Sequence, residues 1–167
     1  MRSISVSVKF ARAVLKHAVS RGLDPIALLR KNRISPRLLL EDDARISVER
    51  FADLQVSTML AMGDELLGYG SARMPVGSWS MMCHAVIGSE TLGKALSRYC
   101  RFYQLFEMGV YPVLEDDGEL ARIFLLAQDD SGASKPYLHE LLLFNTHRFA
   151  SWLAQEHLPV QSVQFES

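Results

Sequence analysis

Cysteine is scarce in this chain: Cys83 and Cys100 are the only two among 167 residues. Two thiols 17 positions apart fit a reduced, cytosolic protein better than a disulfide framework. Long apolar runs are missing as well, and no window approaches the 18 residues that a membrane-spanning helix needs. The opening stretch MRSISVSVKFARAVLKHAV carries Lys and Arg inside its apolar pattern and lacks a small-residue cleavage site, which argues against a signal peptide. A strong charge of one sign is also absent, since the formal net charge is −1. These absences predict a soluble, cytoplasmic protein with no membrane partner. With 49% hydrophobic residues the chain can bury a real core, which excludes disorder.

The near-neutral sum hides an asymmetry. Residues 1–50 hold 11 Lys/Arg against 5 Asp/Glu, a net of +6, and residues 51–167 hold 7 against 14, a net of −7. The basic end is either a solvated helix face or a surface for a partner. The acidic remainder argues against nucleic-acid binding by the domain as a whole.

Catalytic and metal-binding patterns are missing too. No nucleophile elbow, glycine-rich phosphate loop or Cys-x-x-Cys occurs. Gly68-Tyr69-Gly70 has no preceding strand, no third glycine in register and no following Lys-Ser/Thr, so it reads as a turn. Cys83-His84 suggests a nucleophile and its base, but neighbours on a helix point about 100° apart. No third group is at hand to orient the base. His139 and His147 would lie about 12 Å apart along a helix, too far to share an ion. The run Glu115-Asp116-Asp117-Gly118-Glu119 lacks the alternate-ligand spacing of a calcium loop. The expectation is a non-enzymatic protein with no cofactor and no metal.

What is present is periodic. Val6, Phe10, Ala13, Val14 and Ala18 predict a first helix, stopped at Gly22. Asp24-Pro25 and Ser35-Pro36 are cap-then-proline devices that each open a short helix. Arg21 to Pro25 superficially suggests a helix-turn-helix, yet a following helix of about eight residues is too short for recognition. A longer helix begins at Ser47 and runs to about Met62, with Phe51, Leu54, Thr58 and Ala61 inward, and Gly63-Asp64 ends it. Leu66 to Met74 reads as a glycine-broken connection. Trp79 to Ile87 and Thr91 to Phe106 read as two more helices separated by Gly88-Ser89. Leu92, Leu96, Tyr99, Tyr103 and Phe106 mark one face of the second, and Lys94, Arg98 and Arg101 the other. An Asp-Gly turn between Val110–Leu114 and Ala121–Leu126 predicts a hairpin. Asp129 to Ser134 reads as a polar loop, Tyr137 to Glu156 as a long, mostly buried helix, and Val160 to Phe165 as a terminal strand. The fold class is therefore α+β: a mainly helical N-terminal half, then a β-hairpin, a long helix and a terminal strand in a small antiparallel or mixed sheet. A strand at the very end needs a neighbour, which suggests a piece of a longer protein.

Trp79, Met81, Met82, Tyr99, Phe102, Tyr103, Phe106 and Tyr111 fall within 33 residues. Adaptable methionines with rigid aromatic walls suit a small-molecule pocket, and they suit an ordinary core as well. Trp79, Met82, His84, Tyr103, Phe106 and Tyr111 are the candidate ligand-binding residues.

A colinear set of segments carries a further signal. It comprises Gly22-Leu23-Asp24-Pro25 with Ala27-Leu28-Leu29, Arg33 to Leu39, and Ile46 to Phe51. Gly63 to Gly68, Gly77 to Leu96, Arg101-Phe102-Tyr103 and the Glu-Asp-Asp-Gly-Glu hairpin complete it. Together these resemble the N-terminal effector-binding domain of AraC-type transcriptional regulators, the subgroup labelled arabinose-binding domain. The resemblance implies one effector-sensing and dimerising domain over residues 1–167 of a bacterial cytoplasmic regulator. It implies a small-molecule effector, a possible homodimer, and DNA contacted only through a C-terminal helix-turn-helix domain that this chain lacks. The alternative is a dimerisation or protein-interaction module without a ligand, with Tyr137–Glu156 as its surface.

Overall fold

Ser7 decides where the first helix begins. Its hydroxyl accepts a hydrogen bond from the Lys9 amide at 3.3 Å, capping α1 (Val8–Leu15). In this computed structural model, which describes residues 4–128 and 136–164, Val6 therefore lies in a strand and not in the helix. That strand, β1 (Ser5–Ser7), pairs antiparallel with β2 (Arg45–Ser47) in the register Ser5–Ser47, Val6–Ile46 and Ser7–Arg45. Arg45 fastens the pair, its Nε donating to Ser5 Oγ at 2.8 Å.

The chain divides into two compact units: residues up to Trp79 together with Glu107–Gly109, and Ser80–Phe106 together with the residues from Val110 onward. In the first, Asp24 caps α2 (Pro25–Lys31) through Ile26 N at 2.8 Å. Ser35-Pro36 opens a 3₁₀ turn (Pro36–Leu40), tighter than the helix expected there. Ser47 caps α3 (Val48–Met62). Leu54, Thr58 and Met62 form its buried face, while Ala61, expected inward, is exposed.

One helix-ending device recurs. After α3, Asp64 N donates to Met59 O and Gly63 N to Leu60 O, with Gly63 at φ +62°. These are the paired bonds of a Schellman motif, which places one residue in the left-handed region. The 3₁₀ turn at Val19–Arg21 closes likewise on Gly22. In α2 the left-handed position is held by Arg33 at φ +57°, where a side chain is costly.

The connection after α3 is more ordered than a glycine-broken loop suggests. Asp64 is fully buried. Its carboxylate accepts from the amides of Leu66 at 3.0 Å, Gly68 at 2.9 Å and Met74 at 3.0 Å. Glu65 accepts from Gly77 N at 2.7 Å and Trp79 N at 2.8 Å, and so caps α4 (Ser78–Ile87) from a distance. Gly68, at φ +81°, sits so near the turn after α1 that a Cβ there would lie 2.8 Å from His17 Cβ.

In the second unit Thr91 caps α5 (Leu92–Tyr103), which ends three residues before the expected Phe106 in a tight turn. β3 (Val110–Asp116) and β4 (Ala121–Ala127) form the expected antiparallel hairpin, with Asp116 opposite Ala121. Asp117 Oδ1 collects the Leu120 and Glu119 amides at its tip, which hold the Asp117 carboxyl below its ordinary range. The acidic run is thus a hairpin turn. The expected polar loop at Asp129–Ser134 lies outside the described residues.

α6 (Pro136–Ala154) is the predicted long helix, but it is not mostly buried. Leu138, Leu142, Thr146, Phe149 and Ala150 face inward, whereas Phe144 is 64% and Trp152 55% exposed. The expected terminal strand is also corrected. Residues 159–164 are exposed and pair with no strand among the described residues, so they stay irregular, and Phe165 lies outside the description. A β-favouring sequence needs a ladder partner to become a strand. The α+β class stands, with six helices and two two-stranded antiparallel sheets among the described residues.

Candidate functional site

The best-built feature of the second unit is a chain of rings along α5 and α6. Residues four apart share a helix face, so Tyr99 and Tyr103 meet edge to face at 4.9 Å between centroids. Phe102 touches Tyr103 at 5.7 Å and Phe106 at 5.2 Å. In the other direction Tyr99 stacks on Phe149 at 5.8 Å, and Phe149 on Trp152 at 5.9 Å. Six rings thus run from Phe106 to Trp152, each pair within the range of favourable aromatic contact.

A polar pair locks this seam. Thr146 Oγ1 donates to Leu142 O at 2.7 Å, so its 2.7 Å bond with Tyr99 leaves the tyrosine hydroxyl as donor. Tyr99 is wholly buried, and burial pushes its pKa up to about 12. The neighbouring Cys100 thiol is pushed up to about 11 by burial. It remains a protonated core group at neutral pH, unsuited to nucleophilic chemistry.

At the exposed end of the ring chain lies an open hollow of about 530 Å³, lined by Arg148, Ser151, Trp152, Gln155, Glu156 and His157. A Schellman closure shapes it. Glu156 N donates to Ser151 O at 3.1 Å and Gln155 N to Trp152 O at 3.2 Å, with Gln155 at φ +59°. Leu158 is then held from both sides, its amide donating to Ser151 Oγ at 3.3 Å and its carbonyl lying 2.9 Å from His147 Nε2. Arg148 and Glu156 line one hollow without an ion pair between them. Beside the Trp152 face they could hold a small molecule bearing both charges.

Of the six residues expected to line a pocket, five lie in the second unit. Tyr103 is buried and Phe106 half-buried, joined through Phe102. Met82 is sealed in the core, Tyr111 is half-buried on β3 opposite Leu126, and His84 is exposed. Trp79 belongs to the first unit. Cys83 is half-buried beside that exposed histidine, as divergent neighbours on a helix should be. Sequence reasoning missed Arg148, Trp152 and Glu156. Their i, i+4, i+8 spacing was the available signal, obscured by the apolar run Leu141–Phe144 earlier in the same helix. Among the described residues no group of three or more His, Cys, Asp or Glu is placed to hold a metal ion. Nor is any helix there long and apolar enough to cross a membrane.

Comparison with known proteins gives this helical, aromatic-seamed architecture its class. The family described as the arabinose-binding domain of AraC transcription regulators, N-terminal, matches residues 22–167, and the chain belongs to that family. Among curated proteins, it is 26% identical over 160 residues to the ornithine utilization regulator of Pseudomonas aeruginosa. That match covers 95% of this chain and 47% of the relative, so the chain spans about half of the relative's length. No solved structure matches.

Proposed function

We propose that this chain is the effector-sensing domain of a bacterial, cytoplasmic AraC-type regulator. It is not an enzyme, and the sequence-specific reading of DNA belongs to a separate helix-turn-helix domain. The observation that carries the reading is the open hollow lined by Trp152, whose ring stacks on Phe149 and so adjoins the ring chain. A ligand lying on Trp152 would favour one packing of Phe149 and Tyr99 over another. Differential affinity for two packings is what shifts a population and so signals. Tyr103 and Phe106 then respond through the stack. The name of the Pseudomonas relative directs attention to amino acids: Glu156 suits an ammonium group, and Arg148 a carboxylate.

The test uses Trp79→Phe, which leaves Trp152 as the single tryptophan. Titrating ornithine, other amino acids and a wider metabolite panel should give a saturable change in its emission, abolished by Arg148→Ala. A flat response to every compound, or one untouched by Arg148→Ala, would remove the hollow from the account.

A second reading is favoured by the outer face of α6. Glu140, Phe144, Arg148 and Trp152 are exposed at four-residue intervals. An antiparallel pairing of two copies centred on Phe144 would set Glu140 against Arg148 twice. In that reading the chain is a constitutive dimerisation module, and sedimentation would show a dimer indifferent to any effector.

A further inference from the structure

The segment Arg30-Lys31-Asn32-Arg33-Ile34-Ser35-Pro36-Arg37 is the most cationic stretch of the chain, with four positive side chains in eight residues and no acid among them. The fold presents all four to solvent. Arg30 and Lys31 close the last turn of α2, Arg33 occupies the left-handed position after it, and Arg37 stands in the following 3₁₀ turn. Ile34 is the one residue of this stretch that is buried, beside Leu28 and Leu29 just before it. Each of the four cations is exposed, and among the described residues none is in an ion pair or a side-chain hydrogen bond.

Glu41 and Asp43 follow Arg37 closely and are exposed, but neither is in an ion pair with the four cations among the described residues. Asp24 caps the opposite end of α2, about 9 Å away along the axis at 1.5 Å per residue, and its carboxylate is engaged with Ile26 N. Asp42 is paired with Arg12 at 2.7 Å. A favourable interaction with the C-terminal end of the α2 dipole accounts for Arg30 and Lys31, which lie in its last turn. It gives no reason for Arg33, which bears a costly left-handed backbone, or for Arg37 beyond the helix.

We propose that Arg30, Lys31, Arg33 and Arg37 form a contact for the phosphate backbone of duplex DNA. The chain belongs to a family of domains of transcription regulators, so duplex DNA is the polyanion with which such a regulator works. α2 is seven residues long, about 10 Å, too short to lie in a major groove and read bases. The contact is therefore electrostatic and independent of sequence, adding affinity and none of the specificity.

The experiment measures binding of the 167-residue chain to a labelled random-sequence duplex by fluorescence anisotropy between 25 and 200 mM salt. Four phosphate contacts predict a slope of about −3.6 in log K against log salt, roughly a hundredfold loss of affinity between 50 and 200 mM. Arg30→Gln with Arg37→Gln should halve that slope. The quadruple glutamine variant should lose binding while keeping the wild-type circular dichroism and melting temperature, which shows that the fold is intact. Absence of binding at 25 mM salt, or a slope unchanged in the quadruple variant, overturns the proposal. So does tighter binding of a polyglutamate of matched charge than of the duplex, which would assign the segment to an acidic protein.

Discussion

Replacing Asp64 by Ala removes the buried carboxylate that organises residues 64–74. Three amide donors, on Leu66, Gly68 and Met74, lose their acceptor within a fully buried site. Hydrogen bonds to a charged group contribute about 1.5–3 kcal/mol each. The cost of keeping a carboxylate out of water, several kcal/mol, offsets part of the sum of three. The expected net loss is about 3–5 kcal/mol, on the order of 10 °C in melting temperature for a chain of this size. Asp64→Asn keeps Oδ1 for Leu66 and Met74 but turns an NH₂ towards Gly68 N, so it should lose roughly half as much. Urea unfolding in a Trp152→Phe background reports the change locally, because the Trp79 amide is held by the adjacent Glu65. If Asp64→Ala stays within about 0.5 kcal/mol of its parent, the carboxylate is not what orders this segment and the reasoning fails.

The remaining predictions concern backbone, burial and pH. Gln155→Gly relieves a side chain at φ +59° and should stabilise the protein by about 0.5–1 kcal/mol in chemical denaturation. Gly68→Ala combines φ +81° with a 2.8 Å approach to His17 Cβ, and should cost at least about 2 kcal/mol, read by thermal melting. Cys100 and Tyr99 have pKa values raised by folding, from about 9 to about 11 and from about 10 to about 12. The unfolded chain therefore releases these protons first. Stability should be fully present below pH 9 and should fall from pH 9 through 12, with Tyr99→Phe flattening the upper part of that decline in a pH series of melts. At neutral pH the same variant should cost about 1 kcal/mol, the lost hydrogen bond to Thr146.

The elements most legible in the sequence were those set by local chemistry. Asp24 accepts a backbone amide where a cap was expected, Ser35 makes no such bond, Ser47 and Thr91 cap helices where helices were expected to begin, and the Asp-Gly turn produced its hairpin. What was not legible depends on partners distant in sequence. β1 and β2 are three residues each and pair across about forty positions, too short for alternation to be visible. Asp64 looked like a helix stop because its three donors become neighbours only in the folded loop. Val160–Val163 has strand composition, yet composition cannot supply a ladder partner. The candidate site was harder still. The aromatic density that drew attention to Tyr103 and Phe106 is real, but Phe149 and Trp152 join it from a helix some fifty residues further on. Arg148 and Glu156 come to line one hollow only once that helix is closed by Gln155.

Thermal melting of the purified chain against a panel of amino acids and related metabolites tests the sensing role most directly. A ligand at a hundred times its dissociation constant stabilises the folded form by about 2.7 kcal/mol. The account predicts a saturable rise of several degrees for one chemical class carrying both an ammonium and a carboxylate group, and its loss in Arg148→Ala. An unchanged melting temperature across the whole panel, with Arg148→Ala and Trp152→Ala altering stability alone, would contradict it.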